Sequence, residues 1–243
     1  MQNSRDPIRV AAVCFIARTE FYANACFYYF RLLYLRMKVL RFIALCLIAI
    51  VALAGCDGAR SGSTVDFELL QRELREGDLL FRRGMGVVGR VVVAADDNGY
   101  YSHVGVATYT DGRWCVVHAV PDEPDFEGDF DRVKCEPVEL FFDAMRAGNG
   151  AVYRTQLPDT SIRQVVAAAL RLSAEQRRFD HDYNLEDTTA LYCTEFVEYV
   201  FEQGGVSISE GRRTCLNFPS MTGDYIMPSD LIENNQLTLI YSF

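Results

Sequence analysis

Two runs rich in β-branched and aromatic residues, Ser102–Tyr109 and Arg113–Val120, are separated by Thr110-Asp111-Gly112. An Asp-Gly step between such runs is a strong local signal for a β-hairpin, because the turn that matches strand twist needs residues tolerant of positive φ. The hairpin commits this part of the chain to an antiparallel sheet. It also carries two of the chain's three histidines, His103 and His118. With Thr110-Asp111 as the loop the two stand directly opposite; with Asp111-Gly112 they are diagonal neighbours. Both registers leave them about 5–8 Å apart on one side of the sheet. The third, His181, sits in the polar segment Asp180-His181-Asp182 and reads as a surface residue.

Around the hairpin, helical and strand patterns mix. Thr64 or Ser63 caps a short helix with Phe67, Leu69, Leu70 and Leu74 as its apolar face. Leu79–Phe81 reads as a buried strand after the Glu76-Gly77-Asp78 turn, and Met85–Ala95 fits either helix or strand. Val133 and Ala151–Thr155 read as strands, Pro137–Ala147 as a helix, and Leu237–Tyr241 as a closing strand. The clearest helices are Ser161–Arg178 and Tyr192–Gln203, the second stopped by Gly204-Gly205. Such a mixture predicts an α+β domain, an antiparallel sheet or barrel packed against helices.

Half of the 243 residues are hydrophobic, which excludes a disordered chain and supplies one good core. Charge is divided unevenly. Residues 1–55 hold 7 Lys/Arg against 2 Asp/Glu; subtracted from totals of 24 and 33, the rest holds 17 against 31, a net of −14. A body this acidic repels phosphate backbones and argues against nucleic-acid binding.

The basic start has its own meaning. Met37-Lys38-Val39-Leu40-Arg41 precedes an apolar run from Phe42 to Gly55, then Cys56. That run is too short to span a bilayer as a stable helix, and with its cationic start it reads as a secretory signal peptide. Leu53-Ala54-Gly55-Cys56 resembles the bacterial lipobox, which implies a lipidated Cys56 at the head of the mature protein. A signal peptide belongs at an N-terminus, so residues 1–36 are expected to be a misassigned extension. The expected organisation is then 37–55 signal, 56–63 polar tether and 64–243 one domain.

Four cysteines remain in a compartment where disulfides form: Cys115, Cys135, Cys193 and Cys215. They allow three pairings, and no Cys-x-x-Cys pair suggests structural zinc. Cys193 stands out because it opens the Tyr192–Gln203 helix, where the dipole and free amides favour a thiolate and an oxyanion.

Glu76-Gly77-Asp78-Leu79-Leu80-Phe81, Tyr101-Ser102-His103-Val104-Gly105-Val106 and Leu191-Tyr192-Cys193-Thr194-Glu195-Phe196-Val197 resemble three hallmarks of the permuted papain-like amidases. These are the YaeF/YiiX-type relatives of the NlpC cell-wall hydrolases. The resemblance spans residues 74–235, including Pro228-Ser229-Asp230-Leu231. It implies a circularly permuted papain-like (NlpC-type) fold, with the histidine strand before the cysteine helix. It makes Cys193 the nucleophile, His103 the general base and His118 the third residue, where the family commonly has a glutamate. A neutral imidazole there orients His103 without supplying negative charge.

The expectation is therefore a lipid-anchored cysteine hydrolase of the bacterial cell envelope, needing no cofactor or metal. It would cleave an amide bond in a cell-wall peptide or small amide. Three alternatives stand beside it: a thioesterase or acyltransferase on lipid-like acyl groups, an inactive binding lipoprotein of the same fold, and a zinc site built from the two histidines and Cys193.

Overall fold

The computed structural model describes residues 64–218 and 221–243. The expected signal peptide, Cys56 and the residues before them lie outside the described residues.

Helix α1 (Phe67–Glu73) starts at Asp66, whose carboxylate accepts the Leu69 amide at 3.0 Å. Capping thus falls to Asp66 and not to Ser63 or Thr64. Leu70 and Leu74 turn inward while Leu69 faces out. Then come β1 (Leu79–Gly84), α2 (Val87–Ala95), β2 (His103–Thr110), β3 (Arg113–Val120), β4 (Arg132–Pro137), the single turn α3 (Val138–Phe141) and β5 (Ala147–Thr155). The chain ends with α4 (Asp159–Ala174), β6 (Arg178–Phe179), β7 (Ala190–Leu191), α5 (Cys193–Gln203), β8 (Thr214–Phe218), β9 (Met221–Tyr225), α6 (Pro228–Ile232) and β10 (Leu237–Ser242).

Eight strands form one sheet in the order β10-β5-β1-β2-β3-β4-β6-β7, antiparallel except for the short β6–β7 pair, and β8–β9 form a separate hairpin. The α+β expectation is met. Side chains alternate across the sheet. Leu79, Phe81, Val104, Val106, Val117 and Ala119 face the helices, packing on Val165 and Leu172 of α4 and Phe196, Val197 and Val200 of α5. Leu80, Ala107, Val116 and Val152 face the other way, against Leu70, Leu74, Phe141 and Phe142.

Two sequence-based elements change. The helix expected over Pro137–Ala147 shrinks to α3, because β5 pairs with β1 from Ala147 onward. Met145, within that segment, lies 85% exposed. The helix expected to reach Arg178 stops at Ala174: Gln176 takes a positive φ of 52°, and Arg178 pairs with Arg132 of β4. The ambiguous Met85–Ala95 segment is helical, seated on β1 through Gly89. A Cβ at Gly89 would meet the Gly84 carbonyl at 2.8 Å, so only glycine permits that approach.

Candidate functional site

The β2–β3 ladder pairs Thr110 with Arg113 and Val106 with Val117, which makes Asp111-Gly112 the loop and places His103 and His118 diagonally on one face. Gly105 lies between them. A Cβ there would come within 3.0 Å of the His118 Cβ and 2.5 Å of Val116 Cγ1, so its absence lets the rings close. His103 Nε2 and His118 Nδ1 are 2.8 Å apart and both side chains are buried.

Strand β4 adds a residue that the sequence reading missed. Glu136 Oε1 lies 3.1 Å from His118 Nε2, a close polar contact short of a directed hydrogen bond. Glu136 is itself held by Lys134 Nζ at 3.1 Å and Arg146 Nη1 at 3.0 Å. Arg146 also bonds Glu123, and Glu123 bonds the buried Arg82. Burial works to raise the Glu136 pKa, but His118 and Lys134 overcome it and hold the carboxyl well below the ordinary range. Burial pushes His118 down against the pull of Glu136. Burial, aided by Arg82, His118 and Lys134, pushes His103 well below its ordinary value. Both rings are therefore neutral at rest.

These contacts favour one pair of tautomers. An ionised Glu136 favours the proton on His118 Nε2, so His118 Nδ1 is an acceptor. His103 then donates through Nε2, which leaves its Nδ1 lone pair as a base. The negative charge that His118 cannot supply comes from the neighbouring strand. One signal pointed there: Lys134, the lone lysine after residue 55, alternates with Glu136 on a strand and faces the side that His118 faces.

Cys193 opens α5 as expected, and Glu195 caps the helix by accepting the Tyr192 amide at 3.3 Å. The thiol is half-buried, and the nearby amides of Thr194, Val104 and Cys193 favour its anionic form. Val104 lies on β2 beyond the last residue paired with β3, so its amide is free to turn to sulfur. Burial outweighs these donors and pushes the thiol up to about 11, opposite to the lowering expected from the helix dipole alone. Among the described residues, no hydrogen bond joins Cys193 to either histidine. Strand alternation accounts for this: α5 packs beneath Val104 and Val106, whereas His103 projects to the other face, 5.7 Å from the Phe141 ring.

A cleft of about 580 Å³ opens at His103, lined also by Arg82, Met85, Val87, Val88 and Arg146. Cys193 and His118 do not line it. His181 is a surface residue, as expected, beside Asp131 at 3.0 Å. Asp78, part of a hallmark motif, has a structural task. It is buried, receives Arg154 through two hydrogen bonds of 2.8 and 2.7 Å, and accepts the Arg75 amide. Cys115, Cys135, Cys193 and Cys215 are free thiols.

No family model matches the chain, and neither does any curated protein. Among solved structures it is similar to the crystal structure of metalloprotein yiiX from Escherichia coli O157:H7 (DUF1105), with a TM-score of 0.57 over 70% of this chain and 98% of that one. The domain has the yiiX fold. Sequence identity is 17%, so the likeness speaks for the fold alone.

That neighbour is described as a metalloprotein. Among the described residues here, no group of three or more His, Cys, Asp or Glu is placed to hold a metal ion. The strongest donors are turned to other partners. Each histidine spends a nitrogen on the other, the thiol faces amides, and Glu136 is surrounded by the cations Lys134 and Arg146. This donor set does not fit a metal centre.

Proposed function

We propose that the protein is a cysteine hydrolase of the cell envelope with a permuted papain-like architecture, anchored through a lipidated Cys56 and cleaving an amide bond. The observation that carries the reading is the ordered line His103–His118–Glu136, which leaves a basic His103 Nδ1 on the strand whose Val104 amide lies by the Cys193 thiol; the reaction requires His103 to turn toward α5. A base prepared in this way serves a thiol that must be deprotonated at the moment of attack.

In this scheme His103 takes the thiol proton as Cys193 Sγ bonds to the substrate carbonyl carbon. Amides at the start of α5 hold the oxyanion. His103 returns the proton to the leaving amine as the C–N bond breaks, and water then cleaves the thioester. Glu136, through His118, stabilises the transient His103 cation. The substrate class is a cell-wall peptide or a small amide.

A second reading, an inactive binding lipoprotein of the same fold, is favoured by one observation. The thiol pKa is raised to about 11 and no hydrogen bond joins it to His103. Labelling with a peptide-like electrophile, followed by mass mapping, separates the two. The hydrolase reading expects modification at Cys193 that is lost in Cys193→Ser and slowed in His103→Ala. Labelling indifferent to His103→Ala would leave the binding protein as the better account.

A further inference from the structure

Helix α2 turns one side inward, where Val92 and Ala95 pack on Leu216, Tyr225 and Met227. Its other side has no partner among the described residues. Val87 is 76% exposed, Val88 43% and Val91 51%, and Met85 and Met145 add exposed thioethers beside them. Met85, Val87, Val88 and Met145 are also the apolar wall of the cleft that holds His103. Contiguous exposed apolar surface of this kind marks an interaction site.

Charge indicates what it meets. From Leu79 to Ala95 the chain has no acidic residue, and its solvent-facing cations are Arg83 and Arg90, Arg82 being buried against Glu123, in a body with an excess of 14 negative charges after residue 55. Arg90 is exposed on the helix. Arg83 sits 5.1 Å from the ring of the half-exposed Tyr100, an aromatic and a cation together at the edge of the patch. On the helix segment the nearest exposed acid is Asp97, past its end; across the cleft stand Asp122 and Glu123, the latter neutralised by Arg82 and Arg146, and Asp143 lies near Met145. A second copy of this chain is a poor occupant, because a two-fold contact would set Arg83 and Arg90 near their own equivalents. An apolar stripe flanked by arginine and tyrosine matches a lipid interface with anionic head groups.

We propose that the outer face of α2, with Met85 and Met145 beside it, docks on an anionic lipid surface and brings the mouth of the His103 cleft to that surface. The docking rests on the surface itself. Only its use as a substrate entrance rests on the hydrolase reading, so vesicle binding and Cys193 labelling are read separately.

The test is flotation with phosphatidylglycerol-containing and pure phosphatidylcholine vesicles. It uses the chain from residue 57, which retains every described element and the core, so that no acyl anchor contributes. The expected result is binding to the anionic vesicles that weakens with salt. Val87→Asp with Val91→Asp, both at exposed positions, should reduce it at least tenfold. Arg90→Glu should reduce binding by roughly fivefold or more on anionic vesicles and leave phosphatidylcholine unaffected. Equal binding by the valine variant overturns the proposal, as does failure of the parent to float on either vesicle. A parent dimer in light scattering that the valine variant turns into a monomer would assign the face to a second copy and overturn it as well.

Discussion

Replacing Glu136 with Gln tests whether a carboxylate two residues removed from the thiol drives the chemistry. The amide keeps an oxygen for His118 Nε2 and preserves the volume, so the tautomers survive and only the charge is lost. From His103 the path runs 2.8 Å to His118, across its ring, and 3.1 Å on to Glu136, about 8 Å in all. With an effective dielectric near 20, a full charge on His103 gains on the order of 2 kcal/mol from Glu136 at that distance. That is roughly thirtyfold in rate. The loss should be smaller than for His103→Ala, which removes a general base worth roughly 10²–10⁴-fold. The assay is the pH dependence of amide hydrolysis, with thermal unfolding as the control. His103 must be neutral to act. Deleting the neighbouring anion disfavours its charged form further, so the acidic limb of the profile should move to lower pH. A folded Glu136→Gln protein within threefold of the parent, with its acidic limb unmoved, would refute the relay.

His118→Glu provides a second test. Without Glu136 in view, a carboxylate at position 118 looks like an improvement on imidazole. In the folded protein it would bury two carboxylates together, so the variant should lose both stability and activity, read by thermal unfolding and labelling rate. Iodoacetamide modification of Cys193 should be slow near neutral pH and rise toward about 11, while urea stability falls once pH passes the unfolded thiol value of 9.0, because the unfolded chain then sheds a proton that the folded one retains. Asp78→Ala should lower stability by about 3–5 kcal/mol by leaving Arg154 without its carboxylate, with Cys193 labelling unchanged in the protein that remains folded; a stable variant with lost labelling would make Asp78 functional instead.

Much of the frame was legible along the chain, because period and punctuation are local. The Thr110-Asp111-Gly112 turn and the alternation of its flanking strands place His103 and His118 on one face in either register. Tyr192-Cys193 and Gly204-Gly205 marked both ends of α5. Local pattern does not choose between partners that are distant in sequence. It assigned Pro137–Ala147 to a helix, whereas pairing with β1 makes Ala147 the first residue of a strand. It placed Cys193 at a helix start and inferred a lowered pKa, whereas desolvation by the packed sheet raises it. It left Met85–Ala95 undecided, because valine spacing fits both periods until Gly89 seats the segment on β1. Above all it credited His118 with no negative charge. The carboxylate that supplies one is Glu136, brought in by the β3–β4 register and kept ionised by Lys134 and Arg146. Which residues can share a face is a property of the backbone's repeat; which charges then meet on that face, and how dry they are, depends on strands that only the folded sheet sets side by side.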